Sequence, residues 1–109
     1  MRRVILVPRA RRDLAEVWNY TAETWSASQA DRYLARLVSK INRLARPQPA
    51  TRRCDDLYPG LWRVKSDSHL IFFLLADNEV QVVRILHEQM DFEQHLGDVA
   101  AMAEARDSD

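Results

Sequence analysis

The sequence predicts an α+β fold: one strand, a helical hairpin, then a three-strand antiparallel meander, with a C-terminal helical or frayed tail. Three observations carry this expectation. Apolar residues recur at helical spacing between Ala10 and Ala45. From Leu61 onward, β-branched and aromatic runs replace that period. Those runs are separated by polar spacers of hairpin length.

The elements follow in order. Val4-Ile5-Leu6-Val7 is a short apolar run ended by Pro8, which reads as a buried strand. Ala10, Leu14, Val17, Trp18, Thr21 and Trp25 form the stripe of a helix from about Arg9 to Thr24, with Arg11, Arg12, Asp13, Glu16 and Glu23 off it. Ser26 and Ser28 supply capping hydroxyls, and Asp31 three residues after Ser28 favours the start of a second helix there. The stripe of that helix is Ala30, Tyr33, Leu34, Leu37, Val38, Ile41, Leu44 and Ala45, and the short link between the two helices requires an antiparallel hairpin. Pro47 and Pro49 stop the second helix, and Gln48 to Pro59 reads as a loop closed by Pro59-Gly60. Strands are expected at Leu61–Lys65, His69–Ala76 and Glu79–Leu86, and a frayed helix at Asp91–Arg106. The three tryptophans, on stripes or at a strand start, are expected to pack in the core.

Composition narrows the function classes. Sixteen basic and sixteen acidic residues cancel. Residues 1–65, however, carry 14 cations against 6 anions, and residues 66–109 carry 2 against 10. Fourteen of the sixteen cations are arginine, which offers carboxylates and phosphates a planar fork. With 109 residues the chain supports one core. Its apolar runs are too short for a signal peptide or a membrane helix, so a cytoplasmic protein is expected. Cys54 is the only cysteine, which excludes an internal disulfide and a cysteine-based zinc site. Arg52 and Arg53 beside it are placed to lower its pKa, but no histidine pattern makes it a catalytic thiol.

Several residues invite a chemical reading. His87, Asp91 and His95 are spaced by four, but on a helix the outer two lie about 12 Å apart, too far to share one metal ion. A pairing of His87 with Asp91 across the turn after the last strand is expected instead. Arg63 and Lys65 share a strand face, and Arg84 is expected near them with His87 at the edge. Such a cluster can hold a scissile phosphate in a metal-free ribonuclease, but the sequence places no carboxylate beside it to act as general base. Arg32, Arg36, Lys40 and Arg43 form a basic helical stripe without aromatic interleaving, which is weak support for direct nucleic-acid binding. Leu70 to Leu75 and Val80 to Leu86 are apolar on both faces, whereas one helical hairpin covers a single face. Either a protein partner or the folded-back C-terminal segment must cover the other face.

The order of elements and several local strings resemble the ParE branch of the RelE/ParE toxin superfamily from about Val4 to Leu96. The matching strings are Ala10-Arg11-Arg12-Asp13-Leu14, Tyr20, Pro47, Gly60 with Arg63, and His69-Leu70-Ile71-Phe72-Phe73. The most specific is Val83-Arg84-Ile85-Leu86-His87-Glu88-Gln89-Met90-Asp91, followed by His95-Leu96. The resemblance implies one toxin domain over residues 1–97 and an acidic tail over 98–109. It further implies a toxin of a type II toxin–antitoxin module that inhibits DNA gyrase without catalysis or cofactor and is neutralised by a ParD-like antitoxin.

RelE-like relatives cut mRNA on the ribosome, and that remains the alternative, beside a non-toxic interaction module. Overall neutrality, and the lack of a tyrosine beside His87 in the chain, favour ParE. Arg63, Arg84, His87, Met90 and Asp91 are expected to face a partner or to serve local structure. Arg32, Arg36, Lys40, Arg43, Phe72 and Phe73 are expected to face the antitoxin.

Overall fold

The computed structural model describes residues 1–97 together with Val99 and Ala101. The acidic tail expected over 98–109 otherwise lies outside the described residues, as does the later part of the segment expected to fray. β1 (Arg3–Leu6) runs into Pro8, whose fixed φ suits the first turn of α1 (Pro8–Thr24). α2 (Ala27–Arg43) is capped by Ser26, whose Oγ accepts the Gln29 N–H at 3.1 Å. Of the two expected capping hydroxyls it is Ser26 that caps, and Asp31 has another task. It accepts the Trp18 indole N–H at 2.9 Å and so ties the two helices together.

Within the expected loop Gln48–Pro59 lies a two-residue strand, β2 (Arg52–Arg53), paired with β3 (Leu61–Ser66). β4 (His69–Leu75) and β5 (Glu79–His87) complete the meander within a residue of the expected ends. The Asp67-Ser68 turn between β3 and β4 has Asp67 at φ 53°, the positive value that a two-residue hairpin turn requires.

The sheet order is β1-β5-β4-β3-β2, with β1 parallel to β5 and all other pairs antiparallel. Val83 is an extra residue in β5: Phe72 pairs with Arg84 and Phe73 with Val82. Side chains alternate along β4. His69 meets Tyr33 of α2 (5.5 Å between rings), so His69, Ile71 and Phe73 face the helical hairpin. Leu70 and Phe72 face the other way. There α3 (Phe92–Leu96) stacks Phe92 edge-on against Phe72 at 5.2 Å, and Leu96 and Val99 join the same core.

This covering corrects one expectation. Phe72 and Phe73 are 0% and 3% exposed, so neither looks out from an open face toward an antitoxin. The folded-back C-terminal segment, rather than a partner, covers Phe72. Trp25 corrects another. It is the C-cap residue of α1, beyond the last helical position, and the helical period no longer directs it inward; it is 70% exposed. Trp18 and Trp62 are half-buried as the stripes imply.

Candidate functional site

Arg84 is not a surface cation. It is 5% exposed, and its guanidinium grips Asp13 of α1 by two bonds, Nε to Oδ2 at 2.8 Å and Nη2 to Oδ1 at 3.0 Å. The same Asp13 Oδ2 accepts the Ile85 N–H at 2.9 Å. β1 stops opposite Val82, so that N–H lies beyond the reach of strand pairing, and the carboxylate replaces the missing neighbour. Arg84 Nη1 donates to the His95 carbonyl at 3.0 Å, and Arg9 adds a contact to Asp13 Oδ1 at 2.7 Å. One carboxylate and one guanidinium thus join α1, β5 and α3. Among the described residues no buried side-chain polar atom lacks a partner.

Two sequence expectations change with this geometry. A carboxylate does stand beside Arg84, and another, Glu88, meets Lys65 at 3.0 Å. Both are held in ion pairs, which leaves neither as a free base. Nor do the cations cluster: Arg63 and Arg84 each lie opposite Phe72, on either side of β4, two strand spacings or about 10 Å apart. The expected pairing of His87 with Asp91 is also absent among the described residues. His87 Nδ1 instead accepts the Gln89 N–H at 3.2 Å, and Asp91 is the exposed N-cap position of α3.

The sequence did not single out what surrounds His87. Ser66, His69 and His87 form one cross-strand row, and α2 lays Tyr33 over it. The Ser68 N–H donates to the Tyr33 oxygen at 3.1 Å, and the Tyr33 hydroxyl shares a hydrogen bond of 2.7 Å with His69 Nδ1. The His69 and His87 rings stand edge to face at 5.3 Å. Burial is the largest influence on Tyr33 and raises its pKa, opposed by the bond from Ser68. His69 is pushed down first by burial and then by His87, against the upward pull of Asp13, Asp67 and Glu88.

A pH dependence follows from His69. A histidine with a lowered folded pKa binds its proton better when unfolded, so its contribution to stability is complete above about pH 6.5 and is lost as pH falls through the folded value. Thermal melts from neutral to mildly acidic pH should show that loss. His69→Asn, which keeps an acceptor for Tyr33, should reduce it.

This cluster forms part of the wall of a groove of about 770 Å³ between α1, α2 and the end of β5. Tyr20 and Trp25, 69% and 70% exposed, and Met90, 45% exposed, give it an apolar rim, and Arg32 and Arg36 line it. Arg32 is held by Ser28 Oγ at 2.9 Å and Arg36 by Asp67 at 2.9 Å. Lys40 and Arg43 continue the stripe into a second, smaller groove beside β3. Arg63 is half-buried at the β3–β2 pairing. Cys54 is 3% exposed, and burial pushes its thiol pKa up, outweighing the nearby Arg63, so the expected arginine activation does not operate. Among the described residues no three potential ligands converge on a metal position, and no helix is long and apolar enough to cross a membrane.

A mixed sheet with a helical hairpin on one face is the fold of a solved "Chromosomal ParDE TA system from P. aeruginosa", with a TM-score of 0.65. That likeness covers 80% of this chain and 96% of the other at 16% identity, and it defines the class of fold. Residues 4–92 match the family described as ParE toxin of type II toxin-antitoxin system, parDE. Toxin ParE1 of Mycobacterium tuberculosis is 35% identical over 86% of this chain and 97% of its own length. Toxin ParE of Escherichia coli is 37% identical over 86% and 92%. The chain belongs to the ParE toxin family of type II toxin–antitoxin systems.

Proposed function

We propose that this toxin acts on DNA gyrase in the cytoplasm, without catalysis and without a cofactor, and that a ParD-like antitoxin neutralises it. The observation that carries the non-catalytic reading is the Asp13–Arg84 pair. The most family-like cation is buried and bidentately bound, and its neighbours Arg63 and Lys65 do not converge with it on a phosphate position. The groove rimmed by Tyr20, Trp25 and Met90 fits an amphipathic antitoxin helix, whose carboxylates would meet Arg32 and Arg36. Asp91, next to Met90 in the chain, is exposed. The toxin domain is assigned to residues 1–97.

The Tyr33–His69–His87 contact favours a second reading, ribosome-dependent cleavage of mRNA, because it brings a tyrosine to the end of the last strand from a helix remote in sequence. One experiment separates the two. Expression of the chain alone in bacteria should arrest growth with filamentation, DNA-damage signalling and intact message. His87→Ala should leave that arrest in place. Degraded message with undamaged DNA, abolished by His87→Ala in protein that still folds and binds antitoxin, would establish the nuclease instead. Harmless expression would leave the non-toxic interaction module.

A further inference from the structure

We propose that Arg52 and Arg63, which face each other across the β2–β3 pairing, bind the dianionic group of a phosphate monoester between their guanidinium forks. The strand register places them. Arg52 pairs with Arg63 and Arg53 with Trp62, so Arg52 and Arg63 share one face of the sheet. Arg53 goes to the other face, its guanidinium 4.9 Å from the centre of the Trp62 ring. Directly opposed residues have Cβ atoms about 5 Å apart, and like charges at that spacing repel. Among the described residues neither guanidinium has a carboxylate or a hydrogen-bond acceptor. Asp55, the carboxylate nearest to them in the chain, is spent on Arg53 Nη2 and on the Gly60 N–H, each at 2.8 Å. The other cations on these strands are matched, Lys65 by Glu88 at 3.0 Å and Arg84 by Asp13 at 2.8 Å. The register thus holds two unmatched forks side by side at a cost in repulsion.

Charge and shape select the ligand. A carboxylate brings one negative charge and two oxygens, which a single fork fills. A phosphate monoester brings close to two negative charges at neutral pH and three terminal oxygens, so that each fork can take an edge of the group. A phosphate within a nucleic-acid chain is a diester with one charge, which leaves half of the positive charge unmatched. Exposure divides the work between the two arginines. Arg63 is half-buried, where attraction to an anion is less screened than at an open surface, and Arg52 is exposed and can close over the ligand. Arg63 lies opposite Phe72 of β4, on the face turned away from the helical hairpin. The pair is therefore separate from the groove rimmed by Trp25, and binding requires neither Arg84 nor His87. Free phosphate and the terminal phosphate of a nucleotide present the same chemical group to it.

The test follows the arginine Nε–H signals of the ¹⁵N-labelled chain by NMR at constant ionic strength. The titrants are methyl phosphate, dimethyl phosphate, inorganic phosphate and a nucleoside 5′-monophosphate. Methyl phosphate should shift Arg52 and Arg63 together and saturably, whereas dimethyl phosphate should not saturate. Arg52→Gln, at an exposed position and with the folded spectrum retained, should weaken binding by about tenfold or more. Arg52→Lys keeps the charge and loses the fork, so its affinity should fall between the two. Without phosphate, Arg52→Gln should melt slightly higher than the parent because the repulsion is relieved, and methyl phosphate should raise the melt of the parent alone. Tighter binding of the nucleotide than of inorganic phosphate assigns a nucleotide as the source, and equal or weaker binding assigns the phosphate group by itself. Shifts that do not saturate with methyl phosphate, equal binding of the diester, or undiminished binding by Arg52→Gln would overturn the proposal.

Discussion

Asp13→Ala is expected to lower folding stability by about 3–5 kcal/mol, the usual consequence of removing one member of a buried ion pair. The loss falls on two groups at once. Arg84 keeps a charge at 5% exposure with only the His95 carbonyl and no anion, and the Ile85 N–H loses its acceptor where β1 has already ended. Against the roughly 5–15 kcal/mol of a typical domain this is a large fraction. It is read as a fall in the denaturant midpoint at unchanged slope. Replacing both partners with apolar residues of similar volume, Asp13→Leu with Arg84→Met, should recover much of the loss, because no orphan charge remains. If Asp13→Ala shifted the midpoint no more than an exposed substitution does, the pair would be structurally idle.

Phe72→Ala is expected to cost a comparable amount, about 3–5 kcal/mol, by deleting a fully buried ring from the core. Its effect is also local. Phe72 is the surface on which Phe92 rests, so its removal should speed hydrogen exchange in α3 before it affects α2. Phe92→Ala, at a half-buried ring, should give the same exchange pattern with a smaller loss of stability. Equal exchange in α3 with and without the Phe72 ring would mean that some other contact holds the C-terminal segment down.

What could be read from the sequence divides along physical lines. Helices and meander strands were legible because their signals are periodic and their ends are punctuated by Pro8, Pro47, Pro49 and the Asp77-Asn78 turn. β2 was not, because two residues have no period and the Cys54 and Leu61 backbone bond decides the pairing. The cover of Phe72 was left open between a partner and the C-terminal segment, because the apolar surplus shows only that a cover is needed, although Phe92 and Leu96 already stand at helical spacing. Asp13 was read as lying off the stripe. It in fact falls with Ala10, Leu14 and Val17 at helical positions, and a carboxylate inside an apolar stripe signals a buried cation. The row of Ser66, His69 and His87 required the register, and the place of Tyr33 above it required the packing of a helix 36 residues away in sequence from His69. Of the basic stripe on α2, Arg43 is exposed and Lys40 half-buried, a difference that the period of the helix does not reveal.

The central place of β5 has a consequence for how the protein is made. β1 pairs with a strand that begins 76 residues later, Arg3 opposite Glu79, and β4 finds its second neighbour in the same strand. At synthesis speeds of about 5–20 residues per second, the first strand and the hairpin spend several seconds outside the ribosome before their sheet partner emerges. Closing so long a loop is also slow in itself. A nascent chain cut off before residue 79 lacks the strand that joins β1 to the meander and the Arg84 that matches Asp13. An interrupted message therefore yields no folded fragment of the toxin, and a translating cell meets the finished surface only after nearly the whole chain has been synthesised.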